Sequence, residues 1–516
     1  MHYLVTATPP TPNGDLHLGH LSGPYLAADV FKRFARLRGH EATYVSSADD
    51  NQTYVVTTAV IEHRPPETVA GDYNERIKRS LRLAHIDVDV FNKPDAAHGR
   101  LVREFFAQLL SREKLIVRET PCLFCEDCKQ FVFEAYVGGT CPTCLEQTRG
   151  NICEACGHPN DPVDLIEPHC SANKTHRLVC KSAPGLFLPL ERYRGDIERF
   201  YRSQDIVWRT HLLEFVRDIL AAPLPQFRLT YPTGWGISSD LPGLGGQRFN
   251  AWGEMLPGLV NSFALGGQMC GLEPEGTGFQ PAPARTELVQ FFGFDNSFFF
   301  AFVHLGLMFA CGSECIRPKA LICNEFYELE NLKFSTGQKH AIWVGDFLER
   351  YNADLVRLYL SYTNAELQRT NFVQAEMQSW LEQHVVAPWA RVREATGGDF
   401  DEAAAQRRFR AYAVRIERYC GAEFFSLRQT ARVIVQALKW LSRGDARPTP
   451  AILSTLAAFC SPIMPCFADE LAASLGLPGV GRWEERHSRV AVAPSQLPAL
   501  RVGARKASAA AAASVN

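Results

Sequence analysis

Residues 3–20 read Tyr-Leu-Val-Thr-Ala, Thr-Pro-Pro-Thr-Pro-Asn-Gly, Asp-Leu and His-Leu-Gly-His, and they decide the fold of this chain. The apolar run at the start predicts a short buried strand, and the Pro-rich segment after it predicts a turn. Apolar residues then recur at helical spacing from Tyr25 to Leu37, which predicts an amphipathic helix. His17, Gly19 and His20 therefore fall where a strand is followed by a helix.

The start of a helix suits phosphate, because its free N–H groups and the positive end of its dipole attract anions. His17 and His20 can donate hydrogen bonds to phosphate oxygens, and Gly19 leaves room for a flat base or a ribose. The alternative is a chance histidine pair at a helix start, which four residues alone do not exclude.

A second motif, Glu330-Asn331-Leu332-Lys333-Phe334-Ser335-Thr336-Gly337, follows about 300 residues later. In this order the two motifs resemble the HIGH and KMSKS motifs of class I aminoacyl-tRNA synthetases. The resemblance is closest to methionyl-tRNA synthetases, and it runs from about residue 3 to 370 and more weakly to about 490. The segments that carry it are Pro12–His20, Ala28–Val30, Arg38–His40, Ala48–Asp50, Asn324–Phe326, Lys333–Thr336 and Ala341–Val344.

The resemblance implies an α/β fold, with a doubly wound, Rossmann-like nucleotide-binding core, a zinc-knuckle insertion and a C-terminal α-helical bundle. We expect the first half of the core at 1–116, the insertion at 117–225, the second half at 226–322, and a linker with the Lys333 loop at 323–372. A helical bundle resembling an anticodon-binding domain is expected at 373–500, followed by a disordered Ala- and Ser-rich tail at 501–516.

The composition is that of a globular enzyme, with 46% hydrophobic and 21% charged residues among 516. No signal peptide and no continuous apolar stretch of membrane-spanning length is evident, so we expect a cytoplasmic protein and a monomer without a membrane partner. The formal net charge of −2 gives no support for tRNA binding, although it does not exclude a local basic patch.

Clustered cysteines in a large chain indicate a metal rather than disulfides. Two C-x₂-C pairs supply the four thiolates that tetrahedral zinc prefers, namely Cys141, Cys144, Cys153 and Cys156. Such a site is structural, because it leaves no open position for chemistry.

A second zinc knuckle is incomplete in the sequence. It has Cys125, Cys128 and Cys170, but Asn173 stands where relatives carry the fourth thiolate. We assign His176 as the fourth ligand, while His169 and Cys122 remain alternatives, and so does a knuckle without metal.

The resemblance implies that a carboxylate attacks the α-phosphate of ATP, with Mg²⁺, to give an acyl adenylate and pyrophosphate. His17, His20 and Lys333 would be catalytic, since they would hold phosphates as negative charge develops. The other residues implied for ATP are Pro12, Asn13, Gly14, Gly19, Asp295, Phe334, Ser335 and Thr336. After Thr336 the chain departs from the family, with Gly337, Gln338 and Lys339 in place of Ser, Arg and Asn.

For the acid substrate, the resemblance assigns Asp49 or Asp50 to the α-ammonium group. The full set implied for the substrate is Thr8, Pro9, Thr11, Asp49, Asp50, Trp252, Glu254, Leu256, Leu259, Asn296, Phe300 and His304. The methionine side-chain pocket departs most from the family. Of its residues only Trp252 is kept, whereas Pro9, Thr11, Leu256, Leu259, Phe300 and His304 are changed. Because even one methylene changes discrimination by ~1–3 kcal/mol, these changes argue against methionine.

The helical region also departs from the family, since Ala387 and Arg391 stand where anticodon readers carry Asn and Arg. Trp440 is either a base-stacking residue or part of the core. We therefore expect an enzyme that activates a non-methionine acid and transfers it to a small amine or thiol. The alternative is a working methionine–tRNA ligase with tRNA as its partner, and a remote alternative is an inactive zinc-binding scaffold.

Overall fold

The structure is a computed structural model that describes residues 1–202, 208–269, 286–312, 315–334, 340–485 and 497–503. The chain forms two compact units. The first contains Met1–Gly14, Thr43–Ile77 and Val88–Glu325, and the second contains Asp15–Ala42, Lys78–Asp87 and Phe326–Asn516. We had expected residues 1–116 to stay together as one half of the core, but the segment with His17 and His20 belongs to the second unit.

A five-stranded sheet forms the base of the first unit. His2–Ala7 runs parallel to Thr286–Gly293, which runs parallel to Pro318–Asn324, and Glu41–Ser47 runs parallel to Val90–Asn92. The strand order is Pro318–Asn324, Thr286–Gly293, His2–Ala7, Glu41–Ser47 and Val90–Asn92. The apolar run predicted as a strand is thus the middle strand, buried at nearly every position.

The cysteine-rich insertion is built on one long antiparallel pair. Ile116–Cys125 pairs with Leu178–Pro189 over ten residues, from Phe187 opposite Ile116 to Leu178 opposite Cys125. The remaining strands of the first unit are Gln130–Phe131, Val137–Thr140, Gln147–Arg149, Asn151–Ile152, Pro159–Asn160, Ile166–Cys170, Gln226–Arg228, Thr230–Pro232 and Gln247–Phe249.

The aromatic core of the first unit contains Phe292 and the run Phe298–Phe302, and several of the helices pack buried residues into it. The helices that begin in this unit are Thr53–Glu62, Pro66–Leu83, Ala96–Ser111, Arg194–Arg202, Thr210–Leu220, Ala251–Met269 and Leu305–Cys311. Within the described residues, the stretch Phe294–Cys311 is long and apolar enough to cross a membrane, although the sequence analysis identified no such stretch. Of that stretch, 72% is buried inside the protein, as in the core helix of a globular domain.

The second unit is mainly helical. Its helices are Leu18–His20, Leu26–Leu37, Val344–Leu348, Ala353–Tyr362, Gln374–Leu381, Ala387–Glu394, Glu402–Cys420, Leu427–Leu441, Pro450–Cys460 and Pro465–Ser474. A small sheet of Leu332–Lys333, Tyr327–Leu329 and Thr370–Phe372 precedes most of them. Several of these helices begin at a residue whose side chain caps the first turn. Asp401 accepts from the Ala404 N–H at 2.8 Å, and Ser426 accepts from the Gln429 N–H at 3.1 Å.

The predicted tail at 501–516 lies largely outside the described residues, which end at Gly503. Within the described part, the Asn352 N–H donates to the Val502 carbonyl at 2.9 Å, and Tyr351 forms a β-bridge with Gly503. Val502 and Gly503, two of the three described residues of the predicted tail, are therefore bonded to Tyr351 and Asn352.

Candidate active site

His17 and His20 bond to each other reciprocally at the start of a helix. The His17 Nδ1 accepts from the His20 N–H at 3.2 Å, and the His20 Nδ1 accepts from the His17 N–H at 3.4 Å. The two rings stack with centroids 3.6 Å apart. Both Nδ1 atoms are therefore acceptors here, which leaves each Nε2 as the N–H donor of a neutral ring.

The segment that follows the second motif pairs with this histidine segment. The Leu18 N–H donates to the Ile342 carbonyl at 3.0 Å, and the Val344 N–H donates to the Leu16 carbonyl at 2.8 Å. The Phe334 ring stacks on His17, with centroids 5.0 Å apart. The two motifs that the sequence separates by about 300 residues are thus neighbours within the second unit.

Gly19 is required by these contacts. A Cβ at this position would lie 3.0 Å from the His17 Nδ1 and 3.0 Å from the Phe334 Cδ2. We had expected Gly19 to leave room for a base or a ribose, but two side chains of the chain itself occupy that space.

The rest of the second motif is described only in part. Lys333 lies at the end of the strand Leu332–Lys333, and Phe334 is 4% exposed. The side chain of Lys333 and the whole of Ser335 and Thr336 lie outside the described residues, as do Gly337, Gln338 and Lys339.

In the first unit, residues predicted for the substrate and, with Asp295, for ATP follow the carboxyl ends of three neighbouring strands. Thr8 and Pro9 follow His2–Ala7, Asp49 and Asp50 follow Glu41–Ser47, and Asp295 and Asn296 follow Thr286–Gly293. The Thr8 N–H donates to the Phe291 carbonyl at 3.0 Å, and the Asn296 amide donates to Asp295 at 3.1 Å. This edge is where open parallel sheets bind their ligands.

The Pro-rich turn contacts Asp49 directly. The Asp49 N–H donates to the Pro10 carbonyl at 3.0 Å, and the Thr11 hydroxyl donates to the Asp49 carboxylate at 3.3 Å. The turn continues through buried Pro12 and Gly14, while the Asn13 N–H donates to the Thr11 carbonyl at 2.9 Å. The turn thereby fixes the position of one predicted substrate carboxylate.

Asp49 belongs to a group of buried carboxylates. Burial, together with the charges of Glu254 and Glu134, raises the pKa of Asp49 well above its usual value. Burial also raises the pKa of Asp50, although an Asn74 amide bonded at 2.8 Å opposes this shift. A cation placed here would relieve the mutual repulsion of these carboxylates, so the electrostatics favour a ligand with an ammonium group.

The sequence analysis named Glu254 as a substrate residue but missed its bonding partners and Glu134. Glu254 accepts from the Asn51 amide at 2.7 Å and lies 2.9 Å from the His98 Nε2. Glu134 accepts from the Thr53 hydroxyl at 2.6 Å and comes from the cysteine-rich insertion. No motif marks His98 or Glu134, but an Asp95 cap at the helix start, bonded to the His98 N–H at 2.8 Å, could have placed His98.

The first predicted metal cluster is assembled in the first unit. The sulfurs of Cys141, Cys144, Cys153 and Cys156 all lie within 4.8 Å of one another. Cys141 is 3.9 Å from Cys156 and Cys144 is 3.6 Å from Cys153. Four sulfurs around tetrahedral zinc would be roughly 3.8 Å apart, given Zn–S bonds of about 2.3 Å. The donor set and its spacing therefore fit zinc.

The second cluster uses His176. Its Nδ1 lies 3.3 Å from the Cys128 sulfur and 3.7 Å from the Cys125 sulfur, and Cys170 is 3.7 Å from Cys128. The two alternative ligands of the sequence analysis make other contacts. Cys122 accepts a hydrogen bond from Arg228 at 3.1 Å, and the His169 Nδ1 lies 3.4 Å from the Glu167 carbonyl. Three thiolates and one imidazole form a complete tetrahedral donor set.

Residues 3–392 match the family described as tRNA synthetases class I (M). This chain belongs to that family. It is 30% identical over 399 residues to the methionine–tRNA ligase of Thermococcus onnurineus, with 75% of this chain and 54% of that protein covered. It is 29% identical to the methionine–tRNA ligase of Thermomicrobium roseum, and that match covers 74% of this chain and 65% of the relative. The chain thus spans about half the length of the first of these curated relatives.

A solved structure shares the fold. The Mycobacterium tuberculosis methionyl-tRNA synthetase in complex with methionyl-adenylate aligns with a TM-score of 0.74 at 14% identity, covering 97% of this chain and 99% of that one. The predicted resemblance to methionyl-tRNA synthetases is confirmed, and so is the α/β class I synthetase fold with its parallel sheet.

The residues at the family's methionine-pocket positions are packed into the core of the first unit. Leu256, Leu259, Phe300 and His304 are each at most 1% exposed. The His304 Nε2 lies 3.1 Å from the Trp252 carbonyl, which makes it the donor of that bond. Phe299, which the sequence analysis did not assign to the site, stacks on Trp252 with centroids 3.7 Å apart.

The positions predicted from the family resemblance to read tRNA lie in the second unit. Ala387 and Arg391 are both on the helix Ala387–Glu394, one turn apart. Trp440 is half-buried, and its ring lies 6.2 Å from Phe409 and 6.4 Å from Phe400. Trp440 therefore packs against two aromatic rings of its own unit.

Proposed function

We propose that this chain is an ATP-dependent ligase that activates methionine as an adenylate and transfers it to tRNA. The observation that carries the proposal is the 30% identity to a methionine–tRNA ligase over 399 residues, together with the family match over 3–392, which includes both motifs. This was the alternative of the sequence analysis, and it now replaces the transfer to a small amine or thiol, because the relatives are ligases for tRNA. The cytoplasm remains our proposal for its location.

In this mechanism, His17 and His20 donate hydrogen bonds from Nε2 to the phosphates of ATP, and Lys333 meets the departing pyrophosphate. The reciprocal Nδ1 bonds support these roles because they make Nε2 the N–H donor of each neutral ring. Pro12, Asn13, Gly14, Asp295, Phe334, Ser335 and Thr336 complete the proposed ATP site. Mg²⁺ would supply charge neutralisation at the phosphates.

Asp49 binds the α-ammonium group of the amino acid, and Asp50 and Glu254 add to the negative potential there. The buried carboxylate group and its raised pKa values support this assignment. Once the ammonium is held, the substrate carboxylate attacks the α-phosphorus, the bond to the bridging oxygen breaks, and pyrophosphate leaves. Zn²⁺ in the two cysteine clusters would hold the insertion together and take no part in the reaction, since each cluster supplies four protein donors.

A second candidate is the activation of an acid other than methionine. The observation that favours it is the changed pocket, in which Phe300 stacks on Phe292 at 4.6 Å and contacts the His304 ring at 4.9 Å. Bulky side chains at these positions favour a smaller or differently shaped acid.

ATP–pyrophosphate exchange without tRNA, over a panel of standard and non-standard amino acids, tests both candidates. We expect methionine to drive exchange fastest and to be transferred to tRNA when tRNA is added. Faster exchange with another acid would establish the second candidate, and a variant with His20→Ala should lower either rate by ~10²–10³. Absence of exchange with every acid would overturn both candidates.

A further inference from the structure

Three potential metal ligands meet in the second unit, apart from the cysteine clusters. One ligand atom each of His85, Asp354 and Cys466 lies within 4.8 Å of the others. His85 is 269 residues from Asp354 and 381 from Cys466 in sequence. No motif marks these positions, and the proposed aminoacylation does not use them.

The distances match those of a metal site. The His85 Nδ1 lies 3.2 Å from the Asp354 Oδ1 and 3.5 Å from the Cys466 Sγ. Tetrahedral zinc with bonds of about 2.0–2.1 Å to nitrogen and oxygen and 2.3 Å to sulfur would place these atoms roughly 3.3 and 3.6 Å apart. These two separations, and the 4.8 Å limit on the third, are compatible with one ion bound by all three ligand atoms.

Each ligand is held in place by the surrounding backbone. His85 has a left-handed conformation with φ of 54°, and its carbonyl accepts from Arg33 at 2.7 Å. The Asp354 Oδ2 accepts from the Phe467 N–H at 2.6 Å, which leaves Oδ1 directed at His85. Cys466 lies in the first turn of the helix Pro465–Ser474. Such support is what a metal site needs to orient its ligands.

The charges of the three ligands also suit a divalent cation. Two nearby arginines, Arg33 and Arg357, bond to Asp29 at 2.8 and 2.6 Å, so they do not take up the ligand oxygen of Asp354. A thiolate and a carboxylate carry a charge of −2, which balances a divalent cation, and the imidazole adds a neutral nitrogen. This mixture of sulfur, nitrogen and oxygen favours zinc over magnesium or calcium.

We propose that His85, Asp354 and Cys466 form a third zinc site of this chain, with three protein ligands and a fourth position open to solvent. The His85 side chain is 34% exposed while that of Asp354 is 2% exposed, so one side of the cluster faces water. This site differs from the two cysteine clusters, which each have four protein donors. A zinc ion at this site would link three segments that are distant in sequence, and it would keep one coordination position for water or an exogenous ligand.

Zinc content of the purified full-length chain tests the proposal. We expect Cys466→Ala and His85→Ala each to contain one zinc equivalent fewer than the unsubstituted chain. Cys180→Ala is the control for the thiol, since Cys180 is exposed and outside the clusters. His63→Ala is the control for the histidine, because His63 is exposed and has the same φ of 54°. Unchanged zinc in both ligand variants would show a metal-free hydrogen-bonded triad and overturn the proposal.

A second measurement uses the unsubstituted chain and so does not depend on a variant that folds. A zinc-bound thiolate reacts slowly with iodoacetamide, so a chelator should accelerate alkylation of the Cys466 peptide at least about 10-fold, as followed by mass spectrometry. The Cys311 peptide should be alkylated at the same rate with and without chelator, since Cys311 is partly exposed and lies outside the clusters and the insertion. Equal rates for Cys466 under the two conditions would contradict the proposal.

Discussion

Arg357 and Asp29 form a fully buried ion pair with an N–O distance of 2.6 Å, although 328 residues separate them in sequence. Other Arg357 N–H groups donate to the carbonyls of Ile463 at 2.7 Å, Pro462 at 2.9 Å and Ala84 at 3.0 Å. Burial alone would raise the pKa of Asp29, but the guanidinium groups outweigh it and lower that pKa. One arginine thus holds together four segments of the second unit, including the helix that follows the histidine motif.

Replacing Arg357 should strongly destabilise the second unit. Arg357→Met leaves the buried Asp29 carboxylate with Arg33 as its remaining cationic partner and removes the donors to three backbone carbonyls, so we expect a loss of ~3–5 kcal/mol in the free energy of unfolding. Urea denaturation followed by circular dichroism measures this loss. Arg350→Met is the control, since Arg350 is exposed, and should change the stability by less than about 0.5 kcal/mol. A comparable loss in both variants would show that the buried pair has no special role.

Gly19→Ala should damage activity more than stability. The added methyl group would lie 3.0 Å from both His17 and Phe334, so the stacked rings must shift. Because small displacements of catalytic groups cost up to ~10² in rate, we expect ATP–pyrophosphate exchange to fall by about that factor while the melting temperature changes little. Gly71→Ala is the control, because nothing lies within 4 Å of a Cβ there. An unchanged exchange rate in Gly19→Ala would show that the ring stack is not catalytic.

Asp49→Asn should weaken binding of the amino acid more than that of ATP. The amide keeps the shape of the side chain but removes the charge that we propose for the α-ammonium group. A bond to a charged group is worth ~1.5–3 kcal/mol, so KM for the amino acid should rise about 10- to 100-fold, with KM for ATP nearly unchanged. Steady-state exchange kinetics separate the two constants, and Asp72→Asn, at an exposed aspartate, serves as the control. A rise confined to KM for ATP would assign Asp49 to the nucleotide instead.

Local patterns in the sequence predicted the strand His2–Ala7, the helix Leu26–Leu37 and the four-cysteine cluster, because each depends on neighbouring residues or on a fixed spacing. They did not predict that Arg357 bonds to Asp29, or that the histidine motif groups with the C-terminal unit. Those features depend on contacts between distant segments, which leave no periodic signal in either segment.

In the candidate site, too, some features could be predicted from the sequence and others depend on contacts between distant segments. Asp49 was assigned through the family resemblance, and the structure places it directly after the strand Glu41–Ser47, at the edge where parallel strands end. Glu134 could not be predicted, because it comes from the insertion and reaches Thr53 from 81 residues away. The choice of His176 over His169 also needed the structure, since both histidines are plausible by spacing and only the fold directs one ring at the sulfurs.

Substitution of His176 should remove one zinc from the insertion. His176→Ala takes away one of four donors, so we expect about one zinc equivalent fewer than in the unsubstituted chain, as measured by mass spectrometry of the metal. His169→Ala and Cys122→Ser are matched controls, because both residues lie close to the cluster but bond elsewhere. Loss of zinc in a control variant but not in His176→Ala would overturn the ligand assignment.

His304 should make the stability of the chain depend on pH. Burial lowers the pKa of His304 to about 4, from the ordinary value of 6.5. Between these values the unfolded chain binds a proton that the folded chain does not, so the free energy of unfolding should fall as the pH decreases from about 6.5 to about 4. The slope from this one group is ~1.4 kcal/mol per pH unit, or ~3 kcal/mol in total. Above pH 6.5 the group is neutral in both states and contributes no slope.

The variant His304→Gln isolates this effect, because the amide can still donate to the Trp252 carbonyl but does not titrate. Urea denaturation at a series of pH values should show that the difference in stability between the two chains is constant above pH 7. Below pH 6.5 the difference should change in favour of the variant. Other histidines and carboxylates titrate equally in both chains, so they cancel in that difference. A difference that stays constant from pH 7 to pH 4 would mean that His304 is protonated in the folded chain as readily as in the unfolded one.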